Sequence, residues 1–195
     1  MKNLLIIGTG GFAREVWEHA HHSIGYGSEF LIGGFLEGTV PLDPLKYGKL
    51  PMKVLENIKN YQIKDNDAFV IAIANPAIKK QIGEIISSKN GIFINLIHKT
   101  STIASSAILG HGVIICPYVC ISGNTHIGNH VMFNCYSDLG HDSEVGRCSS
   151  IMGHVDITGQ TKVGDYTFWG SGSRALPGSR IGDHSIIGAG SVVLR

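Results

Sequence analysis

Seventeen apolar residues stand six apart without a miss: Ile97, Ile103, Leu109, Ile115, Ile121, Ile127, Phe133, Leu139, Val145, Ile151, Ile157, Val163, Trp169, Ala175, Ile181, Ile187 and Val193. Four positions after each of the first sixteen comes a small or β-branched residue, from Ser101, Ala107 and Val113 through to Ser179, Ser185 and Ser191. An α-helix repeats every 3.6 residues and a half-buried strand every 2, so neither produces a strict six. A hexapeptide repeat does, and it builds a parallel β-helix whose coils stack along one axis.

Each hexapeptide makes one flat face and one corner, so eighteen residues return the chain above its starting point. The large apolar residue fills the axis of the resulting prism, and the small residue also points inward, where a corner leaves little room. Sixteen hexapeptides from Ile97 to Val192 make roughly five coils, about 25 Å tall at ~4.8 Å per coil. Glycine follows the apolar residue at Gly110, Gly128, Gly140 and Gly164, which is expected to meet a demand for special backbone angles at the corners. This pattern resembles the left-handed β-helix of acyl-CoA-dependent acyltransferases.

Residues 1–96 have another rhythm. Leu4 to Ile7 reads as a short strand, Phe30 to Leu36 as a second ending at Glu37, and Phe69 to Ala74 as a third. A helix after the first strand carries Ala13, Val16 and Ala20 on one face. Asn75-Pro76 opens another, with Asn as N-cap, Pro in the first turn and a stripe of Ile78, Ile82, Ile85 and Ile86. Ile92 to Ile94 reads as a last short strand. Alternating strands and helices imply a small parallel α/β sheet of Rossmann-like type. The division expected is 1–96 for this domain and 97–195 for the β-helix.

Gly8-x-Gly10-Gly11-x-Ala13, between a strand and a helix, has the form of a phosphate-binding turn. About 95 residues supply barely one half of a dinucleotide fold, so the site expected is mononucleotide-sized. Gly8, Gly10 and Gly11 would cradle phosphate. Glu37 would meet a ribose or base at the tip of the second strand, and Asn75 would face the same crevice.

The remaining composition narrows the field. A net charge of +1 gives no case for nucleic acid or an acidic membrane surface. Met1-Lys2-Asn3 leads straight into a strand and no eighteen-residue apolar run occurs, so a cytoplasmic location is expected. Cys116, Cys120, Cys135 and Cys148 form no CxxC pair and read as buried or turn thiols. His19, His21 and His22 read as solvated; His126, Glu144 and Lys162, one coil apart, read as a surface charge ladder.

The succession GTGGFAREV, GGFLEG, VIAIANPAIKK and then hexapeptides carrying LGHDSEVG resembles bacterial sugar-nucleotide acetyltransferases of the sialic acid O-acetyltransferase and UDP-4-amino-sugar N-acetyltransferase type. That resemblance implies an N-terminal domain holding a nucleotide-linked amino sugar, a homotrimer, and acetyl-CoA in the groove between neighbouring prisms. The family's catalytic His and acidic residue match His141-Asp142, its upstream asparagine matches Asn134, and its oxyanion-stabilising glycine amide matches Gly159. The glycine-rich coils Trp169-Gly170-Ser171-Gly172 and Ile187-Gly188-Ala189 resemble those along which the pantetheine arm passes. Lys162, Arg174 and Arg180 are candidates for the CoA phosphates. One position departs: Ser150 stands where the family often has a second histidine.

Register alone reaches the same pair. His141 is the third residue of its hexapeptide, at a corner, and Gly159 lies eighteen residues on, one coil up. A base and a bare amide about 5 Å apart suit acyl transfer. Asp142 would orient or polarise the imidazole, although adjacent strand residues normally point to opposite faces. Two other functions share this repeat. One is an acyltransferase on a small metabolite such as an amino acid; the other, a γ-carbonic-anhydrase-type enzyme, needs three converging histidines. No metal is expected.

Overall fold

The structure, a computed structural model, describes residues 1–38 and 50–194. Its first part is a four-stranded parallel sheet in the order β3-β2-β1-β4: β1 Lys2–Ile7, β2 Phe30–Glu37, β3 Val54–Asn57 and β4 Asp67–Ile71. Helix α1, Gly11–His21, buries Ala13, Val16 and Ala20, and α2, Pro76–Ser88, buries Ile82 and Ile86, as their apolar spacing requires. Asn75 caps α2: its Oδ1 accepts from the N–H groups of Ala77 at 3.0 Å and Ile78 at 3.1 Å. Strand β3, Val-Leu-Glu-Asn, lacks an alternating apolar pattern and was not expected. Ile92 to Ile94 is not a strand; Phe93 makes a single bridge to Phe69.

From β5, Leu96–Ile97, to β21, Val192–Val193, every strand has two residues and pairs in parallel with the strand eighteen residues away. The strands form three sheets of six, six and five. Face I carries Ile114, Met132, Ser150, Phe168 and Ile186; face II carries Cys120, Asp138, Asp156, Arg174 and Val192; face III carries His126, Glu144, Lys162 and Arg180. The six-residue apolar series from Ile115 to Ile181 is buried along the axis, with Phe133, Ile151 and Trp169 fully so. Each such side chain contributes about 1.5–3 kcal/mol relative to exposure. The small residues also face in: Ser137, Ser143, Ser149, Thr161, Thr167 and Ser173 are buried. Their hydroxyls bond within the stack, and Trp169 Nε1 donates to Thr167 Oγ1 at 3.1 Å.

The corners correct one expectation. Glycines 110, 128, 140 and 164 have no left-handed backbone; their need is space, since a Cβ on Gly128 would lie 2.5 Å from the Arg147 nitrogen and one on Gly140 would strike the Gly159 amide. The left-handed residue comes two positions later. It is Tyr118, Tyr136 and His154 at the I/II corner, Asn124, Asp142 and Gln160 at II/III, and His130, Cys148, Tyr166 and His184 at III/I, all with φ between 55° and 60° or at 61°.

The sheet domain lies on face I. Leu96, Ile114, Cys116 and Met132 share a buried cluster with Leu4, Ile6, Ala13 and Val16, and Ser150 Oγ donates to the Ala74 carbonyl at 2.6 Å. Helix α2 closes the lower III/I corner. Lys79 is fully buried there, its Nζ donating to the carbonyls of Ser149 at 2.8 Å and His130 at 3.1 Å.

Candidate active site

The II/III corner turns between residues 141 and 142, and that turn decides the site. Asp142 has φ 58°, so strand alternation does not apply to it. Its carboxylate swings beside the preceding ring, and His141 Nδ1–H donates to Asp142 Oδ2 at 2.7 Å. Asp142 thus reaches the imidazole it was expected to orient, because strand alternation does not hold across this corner. Asn124 Nδ2, one coil below, also donates to Asp142, at 3.2 Å. The hydrogen bond from His141, then that from Asn124, holds the Asp142 carboxyl below the usual carboxylate range. Both members of the pair are open to solvent, His141 at 66% and Asp142 at 46%.

With Nδ1 engaged, Nε2 is the free nitrogen of His141 and points at Gly159. A Cβ on Gly159 would lie 2.8 Å from it. At the III/I corner three amides at this position are closed by a side chain eighteen residues on: His111 N–H by Asn129, Arg147 N–H by Asp165, Asp165 N–H by Asp183. Above Gly159 stands Pro177, whose side chain has no acceptor, and the Gly159 N–H has no hydrogen-bond partner among the described residues. A base and an unengaged donor therefore face one small space.

Asn134 is not in that space. It sits at the I/II corner, where its Oδ1 accepts from the Cys135 N–H at 2.7 Å, and Ser150 lies near it on face I. Gly170, Ser171, Gly172, Gly188 and Ala189 run up the same corner, across face II from Gly159. Gly172 has φ +71° and open space around it, whereas Gly170 packs against Ala189. One chain thus divides the expected site between the two corners that flank face II. Lys162 and Arg180 lie on face III and Arg174 on face II, so they do not converge, and Lys162 is paired with Glu144 at 2.8 Å.

At the sheet domain, Gly8 follows β1, Glu37 ends β2 and Asn75 caps α2 in the turn after β4, all on the carboxyl edge where strand order reverses. Gly8 has φ +127° and a Cβ there would meet the Ala72 carbonyl at 2.8 Å; Gly10 N-caps α1 with nothing within 4 Å. Glu37 Oε2 accepts from Asn57 Nδ2 at 3.2 Å. A cavity of about 390 Å³ lies between Asn75, Pro76 and Ala77 and the prism residues Tyr166, Phe168, His184 and Ile186.

Sequence reasoning missed three features. Lys79 reads as a surface lysine although it falls on the stripe of Ile82 and Ile86. Tyr118, Tyr136 and His154, eighteen apart, form a stack with ring centroids 5.0 Å apart. The N-terminal histidines are not simply solvated: His19 is half-buried against His98 at 5.9 Å, and burial pushes it below the usual histidine value. No three His, Cys, Asp or Glu side chains among the described residues are placed to hold a metal ion.

Comparison with known proteins fits this geometry. Residues 3–86 match the PglD N-terminal domain and residues 160–195 the bacterial transferase hexapeptide (six repeats). The chain thus carries one match to each model, the first over its N-terminal part and the second over its C-terminal end. It is 33% identical over 125 residues to GDP-perosamine N-acetyltransferase of Escherichia coli O157:H7, covering 63% of this chain and 55% of that protein. It is 27% identical over 119 residues to UDP-N-acetylbacillosamine N-acetyltransferase of Bacillus subtilis (strain 168), covering 59% and 51%. The aligned segments thus span about half the length of these curated relatives. PerB from Caulobacter crescentus, solved with CoA and GDP-perosamine, superposes with a TM-score of 0.87 at 25% identity over 100% of this chain and 90% of that one. The acetyltransferase domain of PglB from Neisseria gonorrhoeae, with acetyl coenzyme A, gives 0.84 at 21% identity over 98% and 92%, a likeness of fold. The chain is accordingly an α/β domain followed by a left-handed β-helix of hexapeptide repeats.

Proposed function

We propose that the chain is an acetyltransferase that moves the acetyl group of acetyl-CoA to an amino group of a nucleotide-linked sugar. The observation that carries this reading is the His141 imidazole, oriented by Asp142, beside the unengaged Gly159 amide. The relatives named above, with their N-acetyl transfer to GDP- and UDP-linked sugars, support the substrate class. Acetyl-CoA supplies an activated acyl carbonyl. His141 Nε2 takes the proton of the attacking amine and returns it to the departing sulfur. Asp142 fixes the ring and offsets the charge it gains. The Gly159 N–H donates to the oxygen that becomes negative as the carbonyl is attacked.

Gly8, Gly10 and Gly11 hold the diphosphate in this reading, with the α1 amides free to receive it, and Glu37 and Asn75 border the nucleoside and sugar. The bare I/II corner from Gly170 to Ala189 carries the pantetheine arm. Since that corner and Asn134 lie across face II from His141, the working assembly is a homotrimer in which adjacent prisms complete each site. The functional division falls between residues 96 and 97. A cytoplasmic location accords with the free cysteines, and no described helix is long and apolar enough to cross a membrane.

The test is acetyl-CoA consumption against a panel of GDP-, UDP- and dTDP-linked amino sugars, with product masses. One or a few amino sugars are expected to gain a single acetyl group. Acetylation of free amino acids with no nucleotide sugar accepted would replace this reading with the small-metabolite one.

A further inference from the structure

Cys116 and Cys135 meet at the seam between face I and the sheet domain. The register that pairs Ile114 with Met132 and Ile115 with Phe133 runs on to set Cys116 beside Asn134, with Cys135 the next residue on the upper coil. Such a diagonal, one strand spacing across and one residue along, separates Cα atoms by roughly 6 Å, within the span a disulfide bridges. Both side chains join one apolar cluster, which also takes in Ala13 and Val16 of α1. There the Cys116 thiol donates a hydrogen bond to Cys135 Sγ. The other two cysteines stand apart from this pair, Cys120 exposed on face II and Cys148 buried at the III/I corner.

The two thiols are unequal. Cys116 is buried, and its contact with Cys135, then burial, raise it well above the usual thiol value. Cys135 is half-buried. The hydrogen bond from Cys116, helped by its own backbone N–H, lowers it to about 7 against the opposing effects of burial and of Glu15 on α1. A reachable thiolate backed by a buried thiol is the arrangement in which a first oxidation ends in a disulfide rather than in further oxidation.

We propose that Cys135 is a site of oxidation by hydroperoxides, that Cys116 resolves it as a disulfide, and that the bridge slows acetyl transfer by displacing Asn134. The Cys135 thiolate attacks the outer oxygen of the hydroperoxide. An S–O bond forms, the O–O bond breaks, and the departing alkoxide takes up a proton to leave as the alcohol (as water from hydrogen peroxide). Cys116 sulfur then attacks the sulfenic sulfur; the S–S bond forms, the S–O bond breaks, and hydroxide departs with the Cys116 proton as water. Two thiols give up two electrons and one hydroperoxide receives them; an external dithiol reverses the bridge by exchange. Closure draws the sulfurs from hydrogen-bond separation to about 2 Å. Cys135 moves with its sulfur, and its N–H holds the Asn134 side chain through Oδ1 at 2.7 Å. The effect on transfer rests on the reading given above; the thiol chemistry does not.

Hydrogen peroxide on the full chain, with no sugar nucleotide present, tests the site. The wild type is expected to lose two of its four thiols, to yield a linked peptide pair carrying Cys116 and Cys135, and to regain both thiols with dithiothreitol. Cys120→Ser/Cys148→Ser should do the same. Cys135→Ser should keep Cys116 reduced at the same dose. Cys116→Ala should carry Cys135 on to the sulfinic acid, which dithiothreitol does not reverse. A wild-type chain whose Cys135 stays reduced, or over-oxidises without a linked pair, would overturn the proposal. In the sugar-nucleotide assay, kcat of the bridged wild type is expected to fall by at least ~10-fold through misplacement of the reacting groups and to return on reduction. Cys135→Ser should keep its rate through the same treatment. A bridged protein working at full rate would overturn the coupling to Asn134. The thiol readouts need no substrate, so their failure and that of the transferase reading are told apart.

Discussion

His141 and Asp142 meet because the backbone between them turns left-handed, and the same turn leaves Nε2 facing the coil above. Gly159 is glycine for a reason of space there, not of backbone angle. Gly159→Ala would put a methyl 2.8 Å from Nε2 and push the ring aside. A displacement of this kind is expected to lower kcat by about 10–10²-fold while CoA affinity, measured by calorimetry, stays the same. In the glycine turn proposed for the sugar nucleotide, Gly10 has open space around it, so Gly10→Trp is expected to leave the melting temperature unchanged. It should raise KM for the sugar nucleotide and spare KM for acetyl-CoA. An unchanged KM would make the turn architectural only. That Gly159 lies one coil above His141 was legible in the sequence, because register along the prism is rigid. How Asp142 reaches His141 was not, because strand alternation does not hold across a left-handed corner.

Between elements, the seam of α2 against the III/I corner holds two titratable groups that burial displaces far. The His130 ring lies edge-on to Phe93 at 4.4 Å, against Gly83, with Nδ1 buried and unpartnered. Burial first, then Lys79 and His111, lowers His130 to about 4. Above pH 6.5 it is neutral folded or unfolded; as pH falls from 6.5 to about 4 only the unfolded chain takes the proton. Stability is therefore expected to drop across that window, by up to about 3 kcal/mol, and His130→Phe should flatten the drop in urea titrations. Burial likewise lowers Lys79 to about 7, so unfolding between that pH and 10.5 should take up a proton, with stability rising as pH rises. Both helices were legible in the sequence from their apolar stripes and the Asn75 cap. Lys79 was not, because a lysine on a stripe is read as exposed until the carbonyls that receive it are known. β3 escaped notice for want of any alternation.

As a whole, the molecule is a prism with a half-Rossmann sheet on one face. The prism was fully legible, since a strict six admits one architecture. In the proposed reading the site is divided between the two corners that flank face II, and how copies would bring those corners together is not written in the repeat. Light scattering is expected to give a trimer whose mass does not change on dilution through the assay range. The central claim is that His141 is the base for acetyl transfer to a nucleotide-linked amino sugar. It is tested most directly by kcat for the best sugar nucleotide, wild type against His141→Ala, with assembly and CoA binding verified in the same preparations. The account predicts a loss of ~10²–10⁴-fold in kcat with trimer and CoA affinity intact. A kcat near that of the wild type would contradict it.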